Sequence, residues 1–257
     1  TKVSAFSNSA DIHYLENCIS APNTMYVSKK DGYMYKSTNV NAGTPTWTQC
    51  ARPTGTYPRW IETDPGNANT VYIAQSNNIY KSTNGGTSWT DISGNLPNSV
   101  IHCIKYDSSA GMEAIYVGMS VGVYFKDSTM TNWVLFNKNL PKTSEITDLD
   151  IYYDPAFPEC SHITASTYGR GTWKSYLYPS ASRKPKPKFS AAETNVVISC
   201  GTNSTILYNE SCDFPTRFLW KVTPAVTYIN GTDSCSENPE IRFNTAGFYT
   251  VKLVADN

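Results

Sequence analysis

Charge is what this chain has least of. Asp, Glu, Lys and Arg make up 16% of it, against about 25% in an average globular chain. The 21 acidic residues balance the 21 basic ones, so no net field draws in nucleic acid or an acidic membrane surface. Long apolar runs are missing too, and none approaches the roughly 18–20 residues that span a bilayer. The opening residues, TKVSAFSNSADIHY, lack the charged-then-apolar order of a signal peptide. The expectation is a chain whose targeting segment has been removed, or a fragment. Helical periodicity is absent throughout.

Metal and nucleophile signatures are equally scarce. The seven cysteines, at 18, 50, 103, 160, 200, 212 and 235, show no CxxC spacing. His13, His102 and His162 form no HExxH or i, i+4 relation, and no G-x-S-x-G is present. The sequence calls for no metal and no cofactor; structural calcium is compatible with it, but nothing indicates calcium. An odd cysteine count leaves at least one thiol free or paired outside the chain. Richness in Asn, Thr and Tyr suits an extracellular protein, in which disulfides persist. For the four cysteines in the first part, small buried hydrophobes are an equal reading.

What is present is tyrosine, 18 copies of it, set among Ser, Thr and Asn, a mixture that favours half-buried strands and polar turns. The segments NTMYVSKKDGYMYKSTN (23–39), NTVYIAQSNNIYKSTN (69–84), EAIYVGMSVGVYFKDS (113–128) and SHITASTYGRGTWKS (161–175) align. Each gives a short apolar strand, a polar turn and a second strand. Tyr26 to Tyr72 is 46 residues, Tyr72 to Tyr116 is 44, and Tyr116 to Ile163 is 47. Trp47, Trp89 and Trp133 repeat with the same spacing, and so do Asp64, Asp107 and Asp154. A period in the forties with about four strands per unit describes β-propeller blades; a long β-sandwich would not repeat so regularly.

Ser82-Thr83-Asn84-Gly85-Gly86-Thr87-Ser88-Trp89 resembles the Asp-box of BNR-type propellers, S-x-D-x-G-x-x-W, with Asn84 in place of Asp. STNVNAGTPTW carries an insertion relative to it, and KDSTMTNW has lost its glycines. TYGRGTW (167–173) resembles the last-blade ending of sortilin-like and BNR propellers of secreted bacterial proteins. The resemblance covers 1–178 and implies a fold, since this superfold hosts sialidases, xyloglucanases, receptors and adhesins. Four blade signatures fall at the low end of the usual range, so these blades read as the C-terminal part of a larger propeller. Within the Asp-box, Ser82, Asn84, Gly86 and Trp89 are structural: Asn84 bonds back to turn amides, Gly86 permits the bend and Trp89 packs into the blade.

The segment ASRKPKPK marks a linker at 179–187, because alternating Lys-Pro is extended and cannot join a sheet. Beyond it, 188–257 alternates as strands. NPEIRFNTAGFYTVKLVADN resembles the PKD domain, a small immunoglobulin-like β-sandwich, in which Trp220 would pack between the sheets and Gly247 would serve the turn. Two of Cys200, Cys212 and Cys235 could pair, and Cys212 with Cys235 is the favoured choice of three. The N-x-S/T triplets at Asn203, Asn209 and Asn230 are N-glycan acceptors in a eukaryotic secretory route or chance in so polar a chain.

Residues that recur in each unit serve the blade, so function is sought among those that do not. Glu62, Glu145, Asp148 and Asp150 lie outside the recurrent register and are the candidates for a glycosidase pair. Strand alternation puts Asp148 and Asp150 side by side, as a cation site, a channel lining or a solvated strand end. Arg52, Arg59 and Arg170 are not tied together by a sialidase motif. Tyr57, Arg59 and Trp60 in one blade, and Tyr168, Arg170 and Trp173 in the last, offer aromatic faces with arginine, which suit sugar rings or extended peptides; burial in strands and turns is the competing reading. The family resemblances imply a secreted, cell-surface-associated, non-enzymatic binding or adhesion protein of the type IX secretion route. Its expected partners are an extracellular glycan or surface protein, with assembly alongside other surface proteins. The alternatives are a polysaccharide-degrading glycoside hydrolase with catalytic blades upstream, and a structural subunit of an extracellular assembly.

Overall fold

The computed structural model describes residues 10–53, 57–155, 158–178, 185–197, 203–212 and 215–256. Two compact units divide the chain. The first holds three four-stranded antiparallel meanders and one three-stranded meander. Its sheets are β1 (Ile12–Asn17), β2 (Met25–Lys29), β3 (Met34–Ser37), β4 (Thr48–Gln49); β5 (Trp60–Asp64), β6 (Asn67–Gln75), β7 (Asn78–Ser82), β8 (Thr90–Asp91); β9 (Ile101–Asp107), β10 (Ala114–Met119), β11 (Gly122–Lys126), β12 (Val134–Phe136); and β13 (Ile146–Tyr152), β14 (His162–Thr167), β15 (Gly171–Tyr176). β1 lies beside β5, β5 beside β9 and β9 beside β13. The first strand of each sheet is therefore innermost and the last outermost, the arrangement of propeller blades.

The core explains the sequence pattern. One apolar cluster, with Tyr26, Ile61, Val71 and Ile73, joins the first two sheets; a second, with Tyr72, Ile104 and Val117, joins the next two; a third, with Tyr116, Ile146 and Ile163, joins the last two. A second strand such as β10 is packed on both faces, so AIYVGM is buried at every position rather than at alternate ones. The outer strands β4 and β8 are two residues long and exposed, and such short edges offer little to a foreign strand. Among the described residues the fourth sheet has three strands where the repeat led us to expect four. After Tyr178 the sequence enters Pro179 and the Lys-Pro segment, whose prolines have no N–H for a further ladder.

Residues 153–161 leave the last blade between β13 and β14 and group with the second unit, together with 179–257. That unit has a four-stranded sheet in the order β16 (Phe189–Ala191), β17 (Ser204–Asn209), β20 (Glu240–Arg242), β19 (Thr227–Ile229), and a pair, β18 (Arg217–Thr223) with β21 (Thr250–Asp256). Leu207 and Ile241 from the first meet Trp220 and Leu253 from the second to form the core of a β-sandwich. Trp220 is buried, and its indole N–H donates to the Ser236 carbonyl at 2.9 Å.

The disulfide expectation is overturned. Cys212 pairs with Cys160, not Cys235, with Cα atoms 5.0 Å apart, and Cys235 is an exposed free thiol. Inclusion of 153–161 in the second unit is what brings Cys160 within reach. Cys200 and 179–184 of the linker lie outside the described residues. Among the described residues no helix is long and apolar enough to cross a membrane.

Candidate functional site

Because every meander begins at its inner strand, the starts of β1, β5, β9 and β13 lie at one end of the first unit. Hairpin turns meet them there. Lys30 donates its backbone N–H to Asp11, Arg59 to Ala74, Ile101 to Ser76, Ser120 to Val100 and Tyr168 to Glu145, all at 2.7–3.0 Å. These bonds build a rim, and both aromatic–arginine trios anticipated from the sequence fall on it.

Their exposure differs. Tyr57 stands edge-on to His13 at 4.8 Å between ring centroids. Arg59 is exposed and has no ion-pair partner among the described residues. Trp60 is half-buried, stands 4.6 Å from Tyr14 of the first blade and packs on the two clusters that lie on the side of the third blade, so it works as a wedge between blades. Tyr168 is 76% exposed and Trp173 40%, and the Trp173 indole N–H is fixed by the Arg170 carbonyl at 2.9 Å. Tyr168 and Trp173 thus present aromatic surface, whereas Trp60 does not.

Both rim imidazoles have lowered pKa values. Burial lowers the His13 pKa, and Lys30 and Arg59 lower it further. Burial also lowers that of His102; Arg59 adds to this, and together they outweigh Glu145, whose carboxylate lies 3.5 Å from Nε2. His102 Nε2 also lies 2.8 Å from Ser120 Oγ. Imidazoles, hydroxyls, aromatic faces and the Arg59 guanidinium can recognise polar, hydroxyl-bearing ligands.

Below the rim, the carboxylates considered for catalysis are engaged. Glu62 is 8% exposed and accepts the Tyr106 N–H at 3.0 Å. Burial, with a smaller push from Glu16, raises its pKa to about 7 despite that bond. Glu16 accepts the Thr63 hydroxyl at 3.2 Å, and burial raises its pKa as well. Burial opposes the Lys105 ammonium, but Glu62, Asp150 and Glu16 outweigh it and hold its pKa above the ordinary value. Lys105 pairs with Asp150 at 3.0 Å. Asp148 and Asp150 share one exposed face of β13, as alternation required, and Asp148 also accepts the Leu149 N–H at 2.9 Å.

Glu16, Glu62, Lys105 and Asp150 form a ladder across the four inner strands. Glu62 and Asp150 are therefore not outside the repeat: 16, 62, 105 and 150 are spaced by 46, 43 and 45 residues. Glu16, Lys105 and Tyr14 escaped sequence reasoning, although that spacing was the available signal. Among the described residues no group of three or more His, Cys, Asp or Glu could hold a metal ion.

At the opposite end lie the turns from third to fourth strands. Ser82 Oγ accepts the Gly86 N–H at 2.9 Å, Asn84 Oδ1 accepts the Ser88 N–H at 2.9 Å, and Gly86 has φ +86°. The inserted copy in the first blade does the same, with Asn39 Oδ1 accepting the Thr46 N–H at 2.9 Å. Trp89 donates its indole N–H to Ala51 of the preceding blade at 2.9 Å.

No family model matches this sequence, and no curated protein is significantly similar to it. Solved structures do resemble it. An ancestral GH74 enzyme aligns with TM-score 0.52 at 14% identity over 78% of this chain and 27% of its own. The extracellular domain of a one-component system from B. thetaiotaomicron aligns with TM-score 0.52 at 12% identity over 95% of this chain and 34% of its own. The chain thus spans about a quarter to a third of these structures. At such identity the likeness establishes a fold, the β-propeller.

Proposed function

We propose that the chain is a non-enzymatic binding or adhesion protein of the extracellular or cell-surface space. In this reading the first unit belongs to a larger propeller of the BNR/Asp-box, sortilin-like kind. Ile12 and Leu15, exposed on β1, support further blades there. Residues 188–257 serve as a PKD-type spacer, and the route of export is type IX secretion. The disulfide supports an oxidising location.

The observation that carries the binding role is the rim. Tyr168 and Trp173 expose ring faces, Arg59 has no ion-pair partner among the described residues, and burial lowers the pKa of the two histidines nearby. That surface suits a glycan or an extended segment of a surface protein. A glycan-array measurement on the whole chain tests it: Trp173→Ala and Arg59→Ala each reduce retention on the bound glycan class about tenfold or more, one lost contact being worth about 1.4 kcal/mol or more. Unchanged retention in both variants refutes the rim as the site.

One observation favours the hydrolase alternative. Glu62 titrates near 7, as a general acid does. Its burial and its bond to Tyr106 favour an internal structural role. Glycan turnover that vanishes in Glu62→Gln, with binding preserved, would reverse that preference.

A further inference from the structure

The junction between the first and second blades contains a cleft. It has a volume of about 490 Å³ and is lined by Lys36, Thr46, Thr48, Gln49, Asn84 and Thr87, over the backbone of Gly85 and Gly86. Among the described residues no lining side chain is acidic. Three departures from the repeat converge here. The turn after β3 carries the insertion, which supplies the wall with Thr46. The turn after β7 carries the glycine pair that the third blade has lost. The third departure is electrostatic.

In the second blade Lys81 pairs across the sheet with Tyr72 and forms an ion pair with Glu113 of the third blade. Lys36 is its counterpart, paired with Tyr26 in the first blade. Its partner in the next blade is Asn69, which stands three residues before Tyr72 as Glu113 stands three before Tyr116. An amide has replaced a carboxylate. Lys36 Nζ donates to Asn69 Oδ1 at 2.9 Å and lies 5.5 Å from the Tyr26 ring centroid. Two neutral partners fix it, and among the described residues no carboxylate neutralises it. A β-carbon on Gly85 would collide with Nζ, so the bare glycine leaves the ammonium its place against the turn.

A fixed, half-buried ammonium without a counter-ion selects an anion, since charge-assisted hydrogen bonds are the strong ones. The threonine hydroxyls and the Gln49 and Asn84 amides extend the polar wall beyond what a bare ion would touch. We propose that this cleft binds an acidic saccharide, with its carboxylate or sulfate on Lys36 and its hydroxyls on the surrounding Thr and amide groups. The site lies at the opposite end of the blades from the rim and does not depend on it.

The test is titration of the 15N-labelled whole chain with an oligogalacturonide, a sulfated oligosaccharide, a neutral oligosaccharide and inorganic sulfate. The expected result is a saturable shift of the Gly85 and Gly86 amides with at least one acidic saccharide, and none with the neutral one. The two acidic ligands distinguish carboxylate from sulfate ester. Asn69→Glu installs the carboxylate present at the next junction, and it weakens binding at least tenfold while the thermal midpoint holds or rises. Lys36→Gln weakens it similarly. Equal binding by Asn69→Glu and the unaltered chain overturns the proposal. So do an equal shift with the neutral saccharide, a response to inorganic sulfate alone, and silence at Gly85 and Gly86 with both acidic ligands.

Discussion

Trp133 and Ile92 belong to different blades, yet the indole N–H of the first donates to the main-chain carbonyl of the second at 2.8 Å. Asn95 reinforces the tie, accepting the Trp133 N–H at 2.7 Å and donating to its carbonyl at 2.9 Å. Trp89 and Ala51 repeat the contact one blade earlier. Trp89 and Trp133 therefore latch the second and third blades to the blades before them. Trp133→Phe keeps most of the apolar bulk and loses the bond, so it lowers unfolding free energy by about 1–3 kcal/mol. Trp89→Phe, at a half-exposed site, costs less. Denaturant midpoints of the two variants check the order.

Glu62 makes stability depend on pH. Its folded pKa of about 7 lies above the ordinary carboxyl value of 4.5, so the folded state binds more protons between those values. Stability is greatest below about 4.5 as far as this group is concerned, and falls as pH rises to about 7. At about 1.4 kcal/mol per unit, the change amounts to a few kcal/mol at most. Glu62→Gln keeps an acceptor for the Tyr106 N–H and removes the charge. Thermal midpoints across pH 5–8 should fall for the parent and stay flatter for Glu62→Gln, which is the more stable of the two at pH 8.

The Cys160–Cys212 bond closes a loop with sequence separation 52, and chain-entropy arguments give such a crosslink about 4 kcal/mol. Cys160→Ser should destabilise the sandwich selectively. Trp220 lies in its core, so a fall in the unfolding midpoint read through Trp220 is the expected outcome. The same midpoint with and without reductant would show that the bond contributes nothing.

Gly86 has no room for a side chain. Its φ is +86°, and a β-carbon would stand 2.8 Å from Cys50 Sγ. Gly86→Ala combines backbone strain with a clash and should cost about 1–3 kcal/mol. Adding Cys50→Ala removes the sulfur but not the strain, so partial recovery of the denaturation midpoint is expected.

Much of this was legible in the sequence, and what was not has physical reasons. Tyr26, Tyr72 and Tyr116 announced the blades because the same buried position demands the same residue each time. The Ser82–Trp89 turn was legible because its bonds are local. The ladder of Glu16, Glu62, Lys105 and Asp150 has the same period, but its members change sign, and chemical dissimilarity hid the register. The disulfide could not be read at all, because spacing along a chain does not say which loop is brought to which strand. Of the two aromatic–arginine trios, Tyr168 and Trp173 are exposed and Trp60 is half-buried against Tyr14, a difference in burial that residue type alone does not encode.

The grouping of Tyr153–Ser161 with Pro179–Asn257 makes the second unit discontinuous along the chain. A gene fusion or natural recombination event that took only the segment after the linker would carry away Cys212 and strand Cys160 behind. Transfer of the sandwich with its crosslink intact would need the 153–161 excursion as well as the segment after the linker.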